Sequence, residues 1–248
     1  MAYSVVQHQV SASGVASLTG GFSAALTWTS TPVQGRLLLV GIVQRGNWPI
    51  TGPGGGWVKA VSVTNGTTCQ TDIWYKIAGA SESTTGPVFG VAFGVGTLYE
   101  IAQAEITGFT GTPTLDLTGT VTGTAVATLQ VGVGGSTAAA TEFFFAVCGD
   151  SQGATAGLTW SASTAAGGST LGADIDTVNP AKNGEGLRDT WATTGNISTA
   201  PNITFNISAV TNNILAAVST SFQDVLASSI RTGPIRTSLQ AVNRAGTY

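Results

Sequence analysis

The chain has 248 residues, of which 42% are hydrophobic and only 8% are charged, with a formal net charge of −3. The hydrophobic share excludes a disordered chain, and the longest apolar runs, LLLVGIV and FFFAVCG, are far shorter than the ~18 residues of a membrane-spanning helix. The acidic balance also argues against nucleic-acid binding, which needs a basic face.

The first ten residues, MAYSVVQHQV, have neither the positive segment nor the apolar segment of a signal peptide. We therefore expect the protein to be made and kept in the cytoplasm until it assembles, with no membrane partner. This stretch contains His8, the single histidine of the chain.

Strand-like patterns follow in the first half of the chain. The stretch RLLLVGIVQ (36–44) is continuously apolar, as expected for a central strand covered on both faces. The stretch TTCQTDIWYKIA (67–78) alternates, with Cys69 and Ile73 on one face and Asp72 and Trp74 on the other. Further strands are predicted at 57–63, 87–93, 98–107, 124–133, 188–194 and 213–223.

The second half repeats this style. EFFFAVCG (142–149) is a second continuous apolar run, and NITFNIS (202–208) alternates with Ile203, Phe205 and Ile207 inward. The stretch 214–226 is compatible with a helix by length, but the alternation of Val218, Thr220 and Phe222 favours a strand.

Ten or more short strands separated by Gly and Pro turns predict an all-β fold, an antiparallel β-sandwich that is jelly-roll-like. The halves share a loose plan of apolar strand, Gly-rich loop and Trp. No Pro-rich or charged linker divides them, so we predict one domain over residues 1–226, followed by an extended basic C-terminal arm over 227–248.

Cys69 and Cys148 both lie in predicted strands. Two cysteines cannot make a disulfide framework, so buried free thiols are the simpler interpretation. A bridge between them stays open at this stage, because it needs only that the two strands be neighbours.

Two glycine-rich motifs resemble catalytic or phosphate-binding loops without meeting their requirements. TGPGGGWVK (51–59) lacks the Gly-Lys-Ser/Thr order of a phosphate loop, and is interpreted as a connection into a strand that Trp57 opens. GDSQG (149–153) fits G-x-S-x-G, but His8 is the only base for Ser151 and no helix pattern follows. We therefore predict no catalytic residues.

Metal and cofactor sites are equally weakly indicated. Asp174 and Asp176 are a weak calcium candidate, since two carboxylates in a loop are more often a solvated turn. Glu100 and Glu105 lie five apart on a strand, which places them on opposite faces and makes them a poor acid/base pair. We predict no cofactor and no enzymatic activity.

The six tryptophans suggest a different function. Trp48 in a loop, Trp74 on a polar strand face and Trp160 beside a Gly-rich segment are candidates for stacking on a host glycan. The alternative is that they pack in the core or against loops, as most large aromatic side chains do.

The charge is unevenly distributed. Residues 1–224 hold all 12 acidic residues and six of the nine basic ones, a formal charge of −6, and residues 225–248 carry +3. We predict that the basic arm docks on a neighbouring subunit, with arginines pairing with acidic groups and apolar residues as anchors. The predicted partner-binding residues are Arg231, Ile235, Arg236, Leu239, Arg244 and Tyr248.

A set of core and turn residues resembles a β-sandwich module of tailed-bacteriophage structural proteins, which include minor tail, fibre-associated and head-decoration proteins. The resemblance covers roughly residues 36–118 and is looser over 119–224. It is carried by the apolar strand 37–43, the Gly56–Trp57 junction, the WYK-A strand 74–78 and the E-TGF strand end 105–109.

The resemblance implies a virion structural protein that binds other capsid or tail subunits, and a homo-oligomer, with a trimer expected by analogy. The low charge agrees with this, because burying hydroxyl groups in an assembly costs less than burying charges. Capsid decoration is the first hypothesis, since the chain has no heptads or collagen-like triplets. A tail-associated protein or a host-glycan-binding adhesion module is the alternative.

Overall fold

The computed structural model describes eleven stretches of the chain. They are residues 3–10, 22–24, 26–91, 99–135, 141–151, 160–165, 170–171, 175–178, 186–193, 202–207 and 213–225. Within them every regular element is a β-strand and every strand pair is antiparallel, so the predicted all-β antiparallel fold is confirmed.

Seventeen strands are described, and they divide between two halves of the chain. The first half has β1 (Ser4–Val10), β2 (Phe22–Ala24), β3 (Leu37–Arg45), β4 (Ile50–Thr51), β5 (Val58–Asn65), β6 (Cys69–Ile77), β7 (Phe89–Val91) and β8 (Tyr99–Thr107). The second half has β9 (Thr112–Thr124), β10 (Thr128–Gly132), β11 (Phe143–Asp150), β12 (Trp160–Ala165), β13 (Thr170–Leu171), β14 (Ile175–Val178), β15 (Gly186–Thr193), β16 (Asn202–Ile207) and β17 (Ile214–Val225).

The strands form four sheets, two from each half. The first large sheet has the order β1-β8-β3-β6-β5 and the first small sheet the order β2-β7-β4. The second large sheet has the order β13-β15-β11-β17-β9, with β14 also paired to β15, and the second small sheet has the order β10-β16-β12.

The two large sheets pack face to face and enclose the central core. Leu39 and Ile73 of the first large sheet and Phe145 and Val218 of the second are fully buried in the same apolar cluster. The two facing sheets are consistent with the predicted β-sandwich fold class. The boundary of the predicted domain at residue 226 and the arm beyond it lie outside the described residues.

Each small sheet covers the outer face of the large sheet from its own half. On the first large sheet, Val40 and Ile42 pack with Ile50 and Phe89 of the first small sheet. On the second, Phe144 packs in a cluster with strands of the second small sheet. The two continuous apolar runs, in β3 and β11, are therefore buried on both faces, which confirms the sequence interpretation.

The two halves also share one strand order. In each large sheet the first strand of the half lies beside its last strand, and that last strand lies beside the long apolar strand, β3 or β11. The small sheets correspond in the same way, with β2, β7 and β4 of the first matching β10, β16 and β12 of the second. In the second large sheet, β13 and β14 occupy the edge position that β5 has in the first. The loose similarity of the halves in sequence is thus a repeated topology in three dimensions.

The two central strands, β3 and β11, approach each other closely at a glycine in each strand. A Cβ built on Gly41 in β3 would lie 2.6 Å from Val147 Cγ2 in β11, and one built on Gly149 in β11 would overlap Val43 in β3. Each glycine therefore makes room for a valine from the other half, and this close approach sets the spacing of the large sheets.

The long strand β9 is absent from the sequence prediction, which places a strand only at 124–133. Pro113 is its second residue, and Gly119 and Gly123 weaken the strand pattern further along. The strand forms because it lies at an edge of the second large sheet, where β17 supplies its hydrogen-bonding partner and where a proline is tolerated.

Candidate functional site

A groove opens on the first half, between two connections at one end of the small sheet. One wall is the β4–β5 connection with Pro53, Gly54, Gly55 and Trp57, and the other is the segment after β6. Its volume is about 290 Å³, at the lower end of the range for small-molecule sites. The further lining residues are Trp28, Lys76, Glu82, Thr85, Gly86, Pro87 and Val88.

Three consecutive glycines shape the first wall. Gly54, Gly55 and Gly56 have φ values of 71°, 58° and 90°, a left-handed run that residues with a Cβ rarely adopt. The turn is closed by the Trp57 amide, which donates to the Gly54 carbonyl at 3.1 Å. The motif is therefore the predicted connection into a strand, and its geometry brings Trp57 to the groove.

Two tryptophans form the aromatic part of the groove. Trp28 is only 3% exposed and packs with Leu38 and Ala78, so it forms a rigid inner surface. Trp57 is partly exposed and meets Phe89 edge-on, with ring centroids 6.1 Å apart. The aromatic surface thus rests on the core rather than on a mobile loop side chain.

A half-buried ion pair forms the polar part. Lys76 Nζ lies 2.7 Å from Glu82 Oε1, and the two side chains are 17% and 16% exposed. The Gly79 amide donates to the same oxygen at 2.8 Å. The groove therefore presents fixed donors and acceptors with no net charge from this pair.

The predicted stacking tryptophans do not come together here. Trp48 is 40% exposed but is not among the residues that line the groove. Trp74 is 8% exposed, against the expectation that its polar strand face would leave it open to solvent or a partner. The reason is that the first small sheet covers it, with Phe89 at 5.5 Å between ring centroids. Trp160 is in β12, and its side chain lies outside the described residues.

In the sequence, the groove residues were noted only as core and turn residues that indicate the fold. Gly56–Trp57 and Lys76 belong to the motifs that carry the phage-module resemblance, and Glu82 follows in the same run. No pattern links Trp28 to them, because the backbone contact that holds it, from the Trp28 amide to the Thr84 carbonyl at 2.7 Å, spans two distant segments.

The single histidine is engaged by a carboxylate rather than by the candidate serine. His8 Nε2 lies 2.5 Å from Asp189 Oδ2, and the side chains are 7% and 0% exposed. Trp191 packs against the imidazole at 5.4 Å. Ser151 is 2% exposed and its hydroxyl has no hydrogen-bond partner among the described residues. The triad that the GDSQG motif would need is not assembled in this part of the chain.

Both cysteines are buried, and no disulfide joins them. Cys69 packs in the core between the large sheets, whereas Cys148 packs on the opposite face of β11 beneath the second small sheet. Burial raises the pKa of Cys148 well above its ordinary value, so the thiol stays protonated and unreactive.

Most of the carboxylates among the described residues lie inside the molecule. Six carboxylates are buried: Asp72, Glu100, Glu105, Glu142, Asp150 and Asp189. Lys59 Nζ lies 2.8 Å from Asp72, and Arg36 lies 3.0 Å from Glu105. Glu82, Asp116 and Asp224 are partly exposed. Of the 12 acidic residues counted in the sequence, these six are therefore unavailable to a docking arm.

Other predicted sites fall on parts of the chain that are not described. Asp174 and the side chain of Asp176 are among them, as are Arg231, Ile235, Arg236, Leu239, Arg244 and Tyr248. Among the described residues no group of three or more metal-binding side chains occurs, and no helix is long and apolar enough to cross a membrane.

Comparisons with protein-family models, curated proteins and solved structures found no match to this chain.

Proposed function

We propose that this protein is a structural protein of a tailed-bacteriophage particle, one that binds the capsid surface as a decoration protein. The observation that carries the proposal is the repeated strand order of the two halves, stacked into four sheets. We further propose that each half is a jelly-roll unit, an arrangement of two facing sheets used by viral capsid and lectin domains.

The surface chemistry supports a structural role. Only 8% of residues are charged, and six of the carboxylates are buried inside the molecule. A surface rich in Thr, Ser and Gly can be covered by neighbouring subunits at a lower desolvation cost than a charged one. We propose a non-enzymatic protein without cofactor that assembles as a homo-oligomer, with a trimer as the first expectation.

Residues 227–248 are proposed as the arm that docks on a neighbouring capsid or tail subunit. Because most described carboxylates are buried, we expect Ile235 and Leu239 to contribute more to docking than the arginines do. Burial of one such side chain contributes roughly 1.5–3 kcal/mol, against about 0–1 kcal/mol for an exposed ion pair.

A cryo-microscopy map of particles of the encoding phage tests the location. Density for the four-sheet body on the head supports the proposal, and density only on the tail moves the protein to the tail-associated alternative. A particle from which the protein is absent by mass spectrometry refutes both. Light scattering after size exclusion tests the oligomer, against a monomer mass of 24.9 kDa.

Deletion of residues 227–248 tests the arm. We expect the shortened protein to keep the thermal unfolding temperature of the full chain but to lose incorporation into particles. Two matched variants separate the contributions: Ile235→Ser with Leu239→Ser should reduce incorporation more than Arg231→Gln with Arg236→Gln and Arg244→Gln. Full occupancy by the shortened protein contradicts the arm proposal.

A further inference from the structure

We propose that the groove between Trp57 and the Lys76–Glu82 pair binds one neutral sugar residue of an oligosaccharide. The inference does not depend on where the protein lies on a particle. It rests on the aromatic surface, the polar pair and the shape of the groove, each argued below from described residues.

The aromatic surface suits the apolar face of a pyranose ring. The C–H bonds on that face carry a partial positive charge and pack on the electron-rich face of an indole. Trp57 is partly exposed, while Trp28 behind it is 3% exposed. Both pack against the core beside Leu38, so little side-chain freedom is lost when a ligand binds.

The polar pair selects for a neutral ligand with hydroxyl groups. Lys76 and Glu82, 2.7 Å apart, neutralise each other. An isolated lysine would favour a phosphate or an acidic sugar, but here its charge is already compensated. Lys76 Nζ has three donors in all, and both contacts to Glu82 among the described residues reach Oε1. Lys76 donors and Glu82 Oε2 can therefore serve adjacent sugar hydroxyls.

The shape of the groove is maintained by residues without bulky side chains. Gly54 and Gly55 have no heavy atom within 4 Å of an added Cβ, so this wall is open. On the other wall, a Cβ on Gly86 would overlap the Leu26 carbonyl, which fixes the backbone in place.

A buried amide lies directly behind that wall. Gln103 is fully buried, and a Cβ on Gly86 would be 3.0 Å from its Oε1. Neither side-chain polar atom of Gln103 has a hydrogen-bond partner among the described residues. Because this amide is fully buried on the inner side of the Gly86 backbone, it forms part of the wall and is not a ligand contact.

The test uses the full-length protein on an array of neutral oligosaccharides built from hexoses and N-acetylhexosamines, followed by calorimetric titration of the best binder. We expect Lys76→Gln and Glu82→Gln each to weaken binding about tenfold, as for the loss of one hydrogen bond to a charged group. Trp57→Ala should weaken it more. Trp48→Ala, an exposed tryptophan outside the groove, is the matched control and should leave the affinity within about twofold.

Several results would overturn the inference. They are an array with no bound neutral oligosaccharide, binding that survives both Lys76→Gln and Glu82→Gln, and binding that depends on Trp48. Binding of a proline-rich peptide in place of any sugar would also refute it, since an aromatic groove with Pro53 and Pro87 has features of such sites. Because Trp57→Ala can disturb packing, the decision rests on the Lys76 and Glu82 variants, with thermal unfolding as a control of folding.

Discussion

The two halves of the molecule use one strand order but fill their outer layers differently. In the first half the small sheet is short, with strands of three, two and three residues, and bulky side chains of the large sheet, such as Trp74 and Tyr99, occupy the space. In the second half the small-sheet strands have five, six and six residues. There the second large sheet contributes the small side chains of Ala146, Cys148 and Ala217 beside the larger Phe144 and Leu215, and Phe205 comes from the small sheet.

The same strand order therefore accommodates different distributions of bulky and small side chains between its layers. A protein interior packs at nearly uniform density, so a layer with small residues on one side needs large ones on the other. The first half is also where the described groove lies, beside the short small sheet. This suggests that a shorter covering layer leaves its connections available to form a site.

The contact between His8 of the first half and Asp189 of the second should show the largest effect when it is broken. His8→Ala leaves the fully buried Asp189 carboxylate without this partner, and we expect a loss of about 3–5 kcal/mol in the free energy of unfolding. Chemical denaturation measures it. The double variant His8→Ala with Asp189→Ala should be less destabilised than the sum of the single variants, and simple additivity would show that the pair is not coupled.

A large-to-small substitution in the outer layer of the first half and a small-to-large substitution in that of the second should both destabilise the protein. Ile42→Ala in the first half leaves a cavity where bulk is needed, at a cost of about 2–5 kcal/mol. Ala146→Leu in the second half adds bulk where the small sheet already supplies it, at about 1–3 kcal/mol. If Ala146→Leu stabilises the protein in denaturation experiments, the volume argument is wrong.

The close glycine–valine contacts between β3 and β11 allow a smaller destabilisation, which a second substitution should partly reverse. Gly41→Ala brings a methyl group against Val147, and we expect a destabilisation of about 1–3 kcal/mol. Adding Val147→Ala should recover part of it, because the shorter side chain makes room for the methyl group. A control is Gly66→Ala, at a turn with open space and φ of 59°, where any cost comes from the backbone alone and Val147→Ala should not relieve it.

The smallest expected effect concerns Asp224, which accepts hydrogen bonds from the segment that connects β8 to β9. Burial raises the pKa of Asp224, but hydrogen bonds from Thr110 and Gly111, at 2.6 Å, outweigh this and lower it below the ordinary value. The lowered pKa means that the contribution of Asp224 to stability is complete above the unfolded pKa of about 3.9. It is lost as the pH falls through the lower folded pKa.

Asp224→Asn removes the contribution of the charged carboxylate to stability. The unfolding midpoint of this variant should therefore differ from that of the original chain at neutral pH and converge with it in acid. Denaturation at a series of pH values measures the difference. A difference that stays constant down to the most acidic condition would show that the hydrogen bonds do not depend on the carboxylate charge.

The strands and their faces could be predicted because they follow from local patterns. Continuous apolar runs indicated β3 and β11 as strands buried on both sides, and alternation identified the inward residues of β16. β9 was not predicted, because Pro113, Gly119 and Gly123 interrupt its local pattern, and β17 supplies the hydrogen-bonding partner that completes the strand. The burial of Trp74 could not be decided from the sequence for a related reason, because a polar strand face predicts solvent, and only the covering sheet buries it.

The candidate groove was predictable in its parts and not in its assembly. Trp57, Lys76 and Glu82 belong to one region of the sequence, but Trp28 joins them through backbone pairing with Thr84. Likewise, charge counting predicted an acidic surface for a basic arm, whereas folding buries Asp72 beside Lys59 and Glu105 beside Arg36. A charge count has no information about burial.

The sequence by itself therefore determined the fold class, the two doubly covered central strands and the turn chemistry, because periodicity and glycine conformation act over a few residues. Only the tertiary structure decided the four-sheet stack, the pairing of His8 with Asp189, the burial of the carboxylates and the groove beside Trp57. Each of these depends on which distant strands become neighbours, and that choice is made by the packing of whole sheets rather than by any local pattern.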